Sequence, residues 1–512
     1  MTTPFVSSSV THIDPANVNA IDSLLGGTRW TSSTISYSFP TSNSPLFWST
    51  NSVLGYGPQS GDGEPWNSAA APLSSTDKIN FERALQQWAN VANLNFVWVT
   101  ETTNEVGDVR AAYTADPDEL TLAWSYLPGS SVRAGDIWIN TLSLLNFQDW
   151  NPGNISFETI LHEIGHALGL KHPFADPDHP FAETLPATLD NISHTVMSYT
   201  YSNLGGAEGN EFSFHPTTPM MLDIAAVQYL YGANNNYHTG NDTYTYDDSS
   251  TYHETIWDAG GSDTVHYAGT NHTIIDLNPT GASFIGQPVY VQTNGVNLGS
   301  PIPNIWIAAG ATIENAIAGQ GDDLLVGNNS SNVLDGGSGI DTVFVESQRD
   351  NFILSKTSAG YTLTASTNTS NQDTLTQIER LEFNDIGLAL DLDGHAGQVA
   401  KLLGAVFGAS TITNKEYVGI GLTEVDKGLN YEQLGELAIH AAGLKTPDEI
   451  VTLLWNNLFG TAPSEAEKSP YVELLDTGKM STGDLAVLAA DSSFNTGNIN
   501  LTGLAQTGIA FV

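Results

Sequence analysis

Over the first 235 residues, apolar positions switch between two periods. ISYSF (35–39), NFVWV (95–99), LTLAW (120–124) and DIWIN (136–140) alternate or cluster their apolar residues over short spans, which predicts strands. Between the first two, Ser75 and Thr76 offer N-caps for a helix reaching about Ala92, with Ile79, Leu85, Trp88 and Ala92 on one face. A second helical stretch lies in TILHEIGHALGLKHP (159–173), where Leu161, Ile164 and Leu168 form an apolar stripe. This part of the chain reads as an α/β or α+β domain.

From 236 to about 395 the pattern changes. Gly, Asn, Asp, Ser and Thr dominate and apolar runs become very short, which predicts turn-rich β structure. A period of nine stands inside it: AGQGDDLLV (318–326), GNNSSNVLD (327–335) and GGSGIDTVF (336–344). The third block fits the calcium β-helix repeat G-G-x-G-x-D-x-U-x at every fixed position, the first departs only at Ala318, and WDAGGSDTV (257–265) adds a related turn upstream. From 396 to 512 helical spacing returns in AGQVAKLLGAVFGA (396–409), YEQLGELAIHAAG (431–443), TPDEIVTLLWNNLFG (446–460) and STGDLAVLAAD (481–491). Thr446 and Glu449 form a capping box with Pro447 at the first helical position. An all-α bundle is expected there.

Composition narrows the partners. The 512 residues include 56 acidic and 15 basic side chains, for a formal net charge of −41. That excess disfavours nucleic acid and anionic membranes, which require basic patches, and suits a chain that binds cations. No cysteine is present, so any zinc site must use His and carboxylate ligands. No apolar run is long enough to span a bilayer. The start, MTTPFVSSSVTHIDP, has neither a basic n-region nor an apolar h-region, so export would depend on a C-terminal signal.

The chemistry concentrates in HEIGHALGLKH (162–172). His162 and His166 are four apart and project from one helical face, so both imidazoles can reach one zinc ion. Glu163 beside them can take the proton of a zinc-activated water as general base. His172, ten residues beyond His162, reaches the same metal only if the chain turns sharply, and Gly169 stands where a left-handed helix end would make that turn. Gly165 faces away from both histidines and would let the helix pack closely. The plain alternative is a core helix with incidental histidines, but five fixed letters at this spacing arise by chance about once in several thousand chains of this length. His179, His194 and His215 stand near Pro or turn residues and read as structural or surface groups.

HEIGHALGLKH resembles the extended zinc motif of the metzincin metalloproteases. Met197, in HTVMSYT (194–200), is similar to their methionine turn, and Tyr199 two residues on resembles the extra zinc-ligating tyrosine of the serralysin and astacin branches. Pro173, LDIAAVQYLYGAN (222–234) and the glycine–aspartate repeats point to serralysins. Phe174 departs from that family's pattern, which has Gly after the His-Pro pair. The resemblance implies an α+β multidomain chain. Residues 1–25 would form an N-terminal segment or short propeptide, 26–235 a metzincin-type catalytic domain with a mixed twisted sheet and long helices, 236–395 a calcium-binding parallel β-roll, and 396–512 the all-α bundle with a possible secretion signal.

Several structural calcium ions are also implied. Serralysin-like rolls hold an ion between one turn and the turn two repeats on, which pairs Gly319, Gly321 and Asp323 with Gly336, Ser338 and Asp341. Asp258, Gly260, Gly261 and Asp263, with Thr312 and Glu314, match earlier calcium sites of the family. Asn328, Ser330 and Asn332 bring no carboxylate to the middle block. The helical C-terminal segment resembles a domain of unknown function found at the ends of RTX-type secreted proteins, and INLTGLAQTGIAFV (499–512) ends in apolar residues as type I secretion substrates do; a last strand or helix covering the core is the other reading.

The expected protein is a secreted, monomeric, extracellular zinc endopeptidase that cuts proteins or peptides, exported by type I secretion with an uncleaved C-terminal signal. One zinc is held by His162, His166, His172 and Tyr199. Glu163 serves as base, Tyr199 stabilises the oxyanion, and a substrate strand pairs near LTLAWSY (120–126). A calcium-dependent cell-surface or surface-layer binding protein with a vestigial protease, its partner taken by the helical domain, is one rival. A zinc hydrolase acting on something other than protein is the other.

Overall fold

The computed structural model describes residues 9–41, 44, 71–102, 105–115, 120–143, 149–175, 182–201 and 210–512. His179 lies outside them. The chain divides into two compact units, one of residues 1–263 and 278–313, the other of 264–277 and 314–512.

The first unit is built on a five-stranded sheet in the order β2-β1-β3-β5-β4, with β1 Thr34–Ser38, β2 Asn95–Trp98, β3 Val109–Thr114, β4 Ala123–Ser125 and β5 Asp136–Asn140. Four strands run parallel, and β4 pairs antiparallel with β5 at the edge of the sheet. Every residue of β5 is buried, as expected of a strand covered on both faces. Helix α1 (Ser75–Val91) is capped by Ser74, one residue before the caps expected from sequence, because the Ser74 side chain accepts from Asp77 N. Its buried face holds Phe81, Leu85 and Trp88, while Ile79, expected on that face, is 57% exposed. The buried face starts at Asn80 and Phe81 and runs through the expected Leu85, Trp88 and Ala92, and Trp88 Nε1 donates to Leu161 O of the histidine helix.

The N-terminal residues belong to the packing of this unit. Val10–His12 pairs antiparallel with Thr28–Trp30, and Leu24 and Leu25 are fully buried.

In the second unit, strands recur every nine residues: β8 Asn315–Ile317, β9 Leu324–Val326, β10 Val333–Asp335 and β11 Thr342–Val345. Successive strands alternate between two parallel sheets. β8 pairs with β10 and with β6 (Thr264–Tyr267), whereas β9 pairs with β11 and with β7 (Ile274–Asp276). Each strand buries its middle residue, Ala316, Leu325, Leu334 or Val343. The nine-residue period is thus a three-residue strand with one core side chain, followed by a six-residue turn. Those turns need glycine where coils touch, since a Cβ on Gly337 (φ +85°) would collide with the Gly319 carbonyl.

Beyond 394 the unit is helical. The helices are α4 His395–Leu402, α5 Lys415–Asp426, α6 Tyr431–Ala441, α7 Pro447–Phe459, α8 Glu465–Asp476, α9 Thr482–Ala490, and two short ones at 493–498 and 501–507. They close over a core that includes Val399, Leu402, Leu434, Leu454 and Leu485. Helices α5 and α8 escaped the sequence reading because Gly419 and Gly421 interrupt one and Pro470 the other. The apolar end of the chain is a strand, Ile509–Phe511, paired antiparallel with Gly387–Ala389, and Ile509 is buried in the helical core.

Candidate metal centre

Helix α2 (Ile155–Leu168) carries the histidines, and all but His166 and Ile155 of its residues are buried. It stops at Gly169, whose φ of +111° is the left-handed geometry that ends a helix without Cβ strain. The turn that follows is held from the N-terminal segment. Gly26 N donates to Gly169 O at 2.8 Å, Lys171 N donates to Leu24 O at 2.8 Å, and Leu25 bridges Leu170. The Lys171 ammonium, 1% exposed, donates to the carbonyls of Ser23, His172 and Glu183.

That turn brings His172 back to the helix. The three imidazole Nε2 atoms form a triangle with sides of 3.2 Å (His162–His172), 3.1 Å (His162–His166) and 3.1 Å (His166–His172). His162 Nδ1 lies 2.7 Å from Val196 O and His166 Nδ1 lies 2.8 Å from Leu170 O. A carbonyl only accepts, so each Nδ1 carries the proton and each neutral ring aims an Nε2 lone pair into the triangle. Burial, with His172 close by, lowers the His162 pKa to about 3 and keeps that ring neutral. Converging lone pairs repel unless a cation stands among them. Zinc bonded to nitrogen at about 2.0–2.1 Å with tetrahedral angles sets nitrogens about 3.3 Å apart, close to the triangle observed. The donor set fits zinc.

Glu163 and Tyr199 flank the triangle. Glu163 is 4% exposed, and its Oε2 has no hydrogen-bond partner among the described residues. Burial pushes its pKa up to about 8, and a cation at the triangle would favour the ionised form. Tyr199 Oη lies 2.8 Å from His172 Nε2, on a residue that is 61% exposed. Phe174, the departure noted in the sequence, stacks on His172 with centroids 4.9 Å apart and rings 12° from parallel.

The floor is equally specific. Met197 is fully buried beneath the helix. Its turn is pinned by Asp223 at the start of helix α3 (Met221–Tyr231), which accepts from Thr195 Oγ1 at 2.6 Å and from Val196 N and Met220 N at 2.8 Å. Asp223 sits in the quoted stretch 222–234 but gave no separate signal. His215 pairs with Glu158 of α2 at 2.5 Å, a structural role like that read from sequence. A cleft of about 430 Å³ opens beside the triangle, lined by Leu120–Ala123 leading into β4, by Glu158, His162 and Glu163 of α2, and by Tyr199 and Tyr201.

The expected calcium residues fall into two places. In the second unit the turns 318–323 and 336–341 meet. Ser338 N donates to Gly319 O at 3.0 Å, Asp323 N to Asp341 Oδ1 at 2.8 Å, and Gly319 N to Asp323 Oδ2 at 3.1 Å. Gly336 closes on the Asp341 side chain, and a Cβ on Gly339 would strike the carbonyl of Gly321. Asp341 Oδ2 is buried without a hydrogen-bond partner among the described residues. Burial, with Glu379, Asp323 and Asp322 nearby, pushes Asp341 up to about 7. A buried carboxylate among other carboxylates suits a hard divalent cation. In the middle block amides satisfy each other instead. Asn332 Oδ1 accepts from Asn328 N, and Asn332 Nδ2 donates to Asn328 Oδ1, both at 2.9 Å.

In the first unit Asp258 accepts from Gly260 N at 2.8 Å and from Tyr244 Oη at 2.7 Å, Asp263 accepts from Asp242 N at 2.7 Å, and Gly261 abuts the carbonyl of Gly240. The structure adds two residues that the sequence reading missed, for His238, Asp242 and Asp258 place ligand atoms within 4.8 Å of one another. Thr312 is exposed, and Glu314 begins the second segment of the other unit, where its carbonyl accepts from Asn332 Nδ2.

Comparison with known proteins adds to this geometry. The family described as Matrixin matches residues 67–179, and the family described as Peptidase M10 serralysin C terminal matches 221–402. The chain is serralysin-like. It is 33% identical to a Serralysin of Photorhabdus laumondii over 53% of this chain and 58% of that protein. It is 37% identical to Serralysin C of Dickeya chrysanthemi over 48% and 52%, and 34% identical to the Metalloprotease AprA of Pseudomonas entomophila over 51% and 55%. The chain spans about half the length of the curated relatives it matches. In this serralysin-like chain the three histidines lie in the Matrixin match, Met197 and Tyr199 lie between the two matches, and α5 to α9 lie beyond both. Among the described residues, no helix is long and apolar enough to cross a membrane.

Proposed function

We propose that this chain is a secreted zinc endopeptidase that hydrolyses extracellular proteins, with the catalytic domain at 26–235, a calcium-binding roll at 236–395 and a helical domain at 396–512. The observation that carries the reading is the triangle of Nε2 atoms beside the partnerless carboxylate oxygen of Glu163.

His162, His166 and His172 would hold the zinc, and the Tyr199 hydroxyl, 2.8 Å from His172 Nε2, would serve as a further ligand. When bound, zinc supplies a Lewis acid that polarises the scissile carbonyl and eases ionisation of water. Glu163 accepts the proton of the attacking water and returns it to the leaving amine. Tyr199, exposed and two residues beyond the buried Met197, donates to the substrate carbonyl oxygen as charge builds there. Leu120–Ala123 and β4 supply the edge on which an extended substrate lies across the cleft. The segment that ends in Ser23, Leu24 and Leu25 belongs to the mature enzyme, because those three residues hold the turn that carries His172.

Calcium would be held by Gly319, Gly321, Asp323, Gly336, Ser338 and Asp341, and separately by the Asp258, Gly260, Gly261 and Asp263 turn of the first unit. Export follows the type I route with the C-terminal signal retained.

The test is casein cleavage by wild type and Glu163→Ala, each with and without a zinc chelator. Cleavage only by zinc-loaded wild type is expected. Cleavage that survives the substitution sinks the base assignment, and an inactive zinc-loaded wild type sinks the peptidase reading.

A further inference from the structure

The helical segment repeats a set of its apolar positions. Val399, Leu402 and Phe407 recur 52 residues on as Val451, Leu454 and Phe459, and Leu434, Leu437 and Ala438 recur 51 residues on as Leu485, Leu488 and Ala489. Between these stretches, α5 and α8 are both 12 residues long, start 50 residues apart and follow the N-cap residues Asn414 and Ser464. Helices α6 and α9 both open on capping boxes, Asn430 with Gln433 and Ser481 with Asp484.

The two halves also meet as counterparts. Asn457 Nδ2 donates at 2.9 Å to the carbonyl of Ala405, the residue 52 positions before it, and to that of Val406. Ala405 and Val406 lie in a π-helical stretch, 403–407. A Cβ on Gly435 would stand 3.2 Å from the Cβ of Ala486, its counterpart 51 residues on, and one on Gly483 would strike the carbonyl of its counterpart Glu432. Positions that touch their own equivalents mark a two-fold relation between repeats.

Each half opens an apolar groove from the same positions. One, of about 220 Å³, lies over Leu402, Phe407 and Leu437, and the other, of about 250 Å³, lies over Leu454, Phe459 and Leu488. Leu437 is 41% exposed and Leu488 is 51% exposed, so the same leucine stands at the rim of each. Paired exposed apolar clefts on an otherwise charged surface mark an interaction site.

Charge identifies the occupant. Residues 396–512 hold 13 acidic and 6 basic side chains. Three of those lysines are already engaged, Lys401 with Asp491, Lys468 with Asp448 and Lys427 with Glu424. Exposed Glu416 and Glu436 adjoin Tyr417 and Leu437 at the first groove, and exposed Asp484 lies one turn before Leu488 at the second. An anionic lipid surface is repelled by this balance, while a cationic amphipathic helix finds apolar clefts flanked by carboxylates.

We propose that residues 395–492 are a tandem duplication of a three-helix unit whose two apolar grooves each take the apolar stripe of a basic amphipathic helix from a partner protein. The test titrates the full chain with a fluorescent amphipathic Leu/Lys peptide, against a Leu/Glu peptide of the same pattern and a scrambled Leu/Lys peptide. Two Leu/Lys peptides per chain are expected. Leu437→Glu should remove one site, Leu488→Glu the other, and the double variant both, with circular dichroism unchanged because both positions are exposed. One site or none, a stoichiometry that ignores either substitution, a single substitution that abolishes both sites, or equal binding of either control peptide overturns the proposal.

Discussion

Gly165 and Met197 occupy one space: a Cβ built on the glycine would stand 2.5 Å from the methionine Sδ and 3.3 Å from Cζ2 of Trp88. Glycine in a helix interior costs about 1 kcal/mol against alanine, so the position trades helix propensity for the methionine floor. Gly165→Ala should therefore destabilise despite its better propensity, by about 1–3 kcal/mol, because fully buried Met197 has to move. Thermal unfolding of Gly165→Ala, Met197→Ala and the double variant tests this. The double variant should be more stable than the two single losses add up to, and strict additivity would show that the contact does not couple them.

Lys171 gives the second prediction. Its buried ammonium ties three carbonyls from Ser23, His172 and Glu183 around the turn that carries His172. Lys171→Met keeps much of the volume but leaves those carbonyls without their donor, at roughly 1–3 kcal/mol for a desolvated acceptor. The expected outcome is weaker zinc retention against a competing chelator as well as lower stability. Removing residues 1–25 should act in the same direction. A truncated chain with unchanged zinc affinity would return those residues to the role of a removable propeptide.

The helix end at Gly169 could be read from sequence because a left-handed residue after an apolar stripe has few other uses. The nine-residue strands were likewise legible, since each turn repeats one buried position, from Leu325 to Leu334 to Val343. What the sequence concealed depends on long-range contacts. Nothing local about Gly165 identifies a sulfur 32 residues away, and the Asp223 carboxylate under the methionine turn sits in an ordinary amphipathic stretch. His238 and Asp242 escaped for a similar reason, because they reach Asp258 only once the chain folds back.

Acid should strike the first unit through Glu101. Burial raises its pKa, but the Arg110 guanidinium, with Nε and Nη2 each 2.9 Å from a carboxylate oxygen, and the hydroxyls of Ser44 and Ser38 together outweigh burial and hold Glu101 below its ordinary value. A depressed carboxylate contributes stability above its unfolded pKa, about 4.3, and loses it as pH falls through the folded value. Unfolding midpoints of wild type should drop below about pH 4.3 more steeply than those of Glu101→Gln. At neutral pH the variant should be less stable by about 3 kcal/mol or more, since Arg110 keeps its buried charge. Parallel pH profiles for the two proteins would exclude this pair as a source of acid lability.

Calcium removal should act on the repeats before the sheet. Asp341 has a buried oxygen with no hydrogen-bond partner among the described residues, and it faces Asp323 and Glu379, so a bound cation relieves repulsion that the apo turn retains. EGTA should expose 250–345 to added protease first, and Asp341→Asn should raise the calcium concentration needed for protection. Protection that is indifferent to EGTA would remove calcium from the account.

Tyr199 separates substrate binding from chemistry. Its hydroxyl lies 2.8 Å from His172 Nε2, yet the residue is 61% exposed, so the ring can leave the histidine without opening the core. If it donates to the substrate carbonyl oxygen only as charge develops there, Tyr199→Phe removes an interaction specific to the transition state. Loss of one such donor lowers kcat by about 10²–10³, with KM nearly unchanged. Stability should hardly move, since the side chain is mostly in solvent. Steady-state kinetics on a fluorogenic peptide, with zinc content measured in parallel, decides the matter. A rise in KM at constant kcat would make Tyr199 a binding residue, and a loss of zinc in step with activity would make it chiefly a ligand.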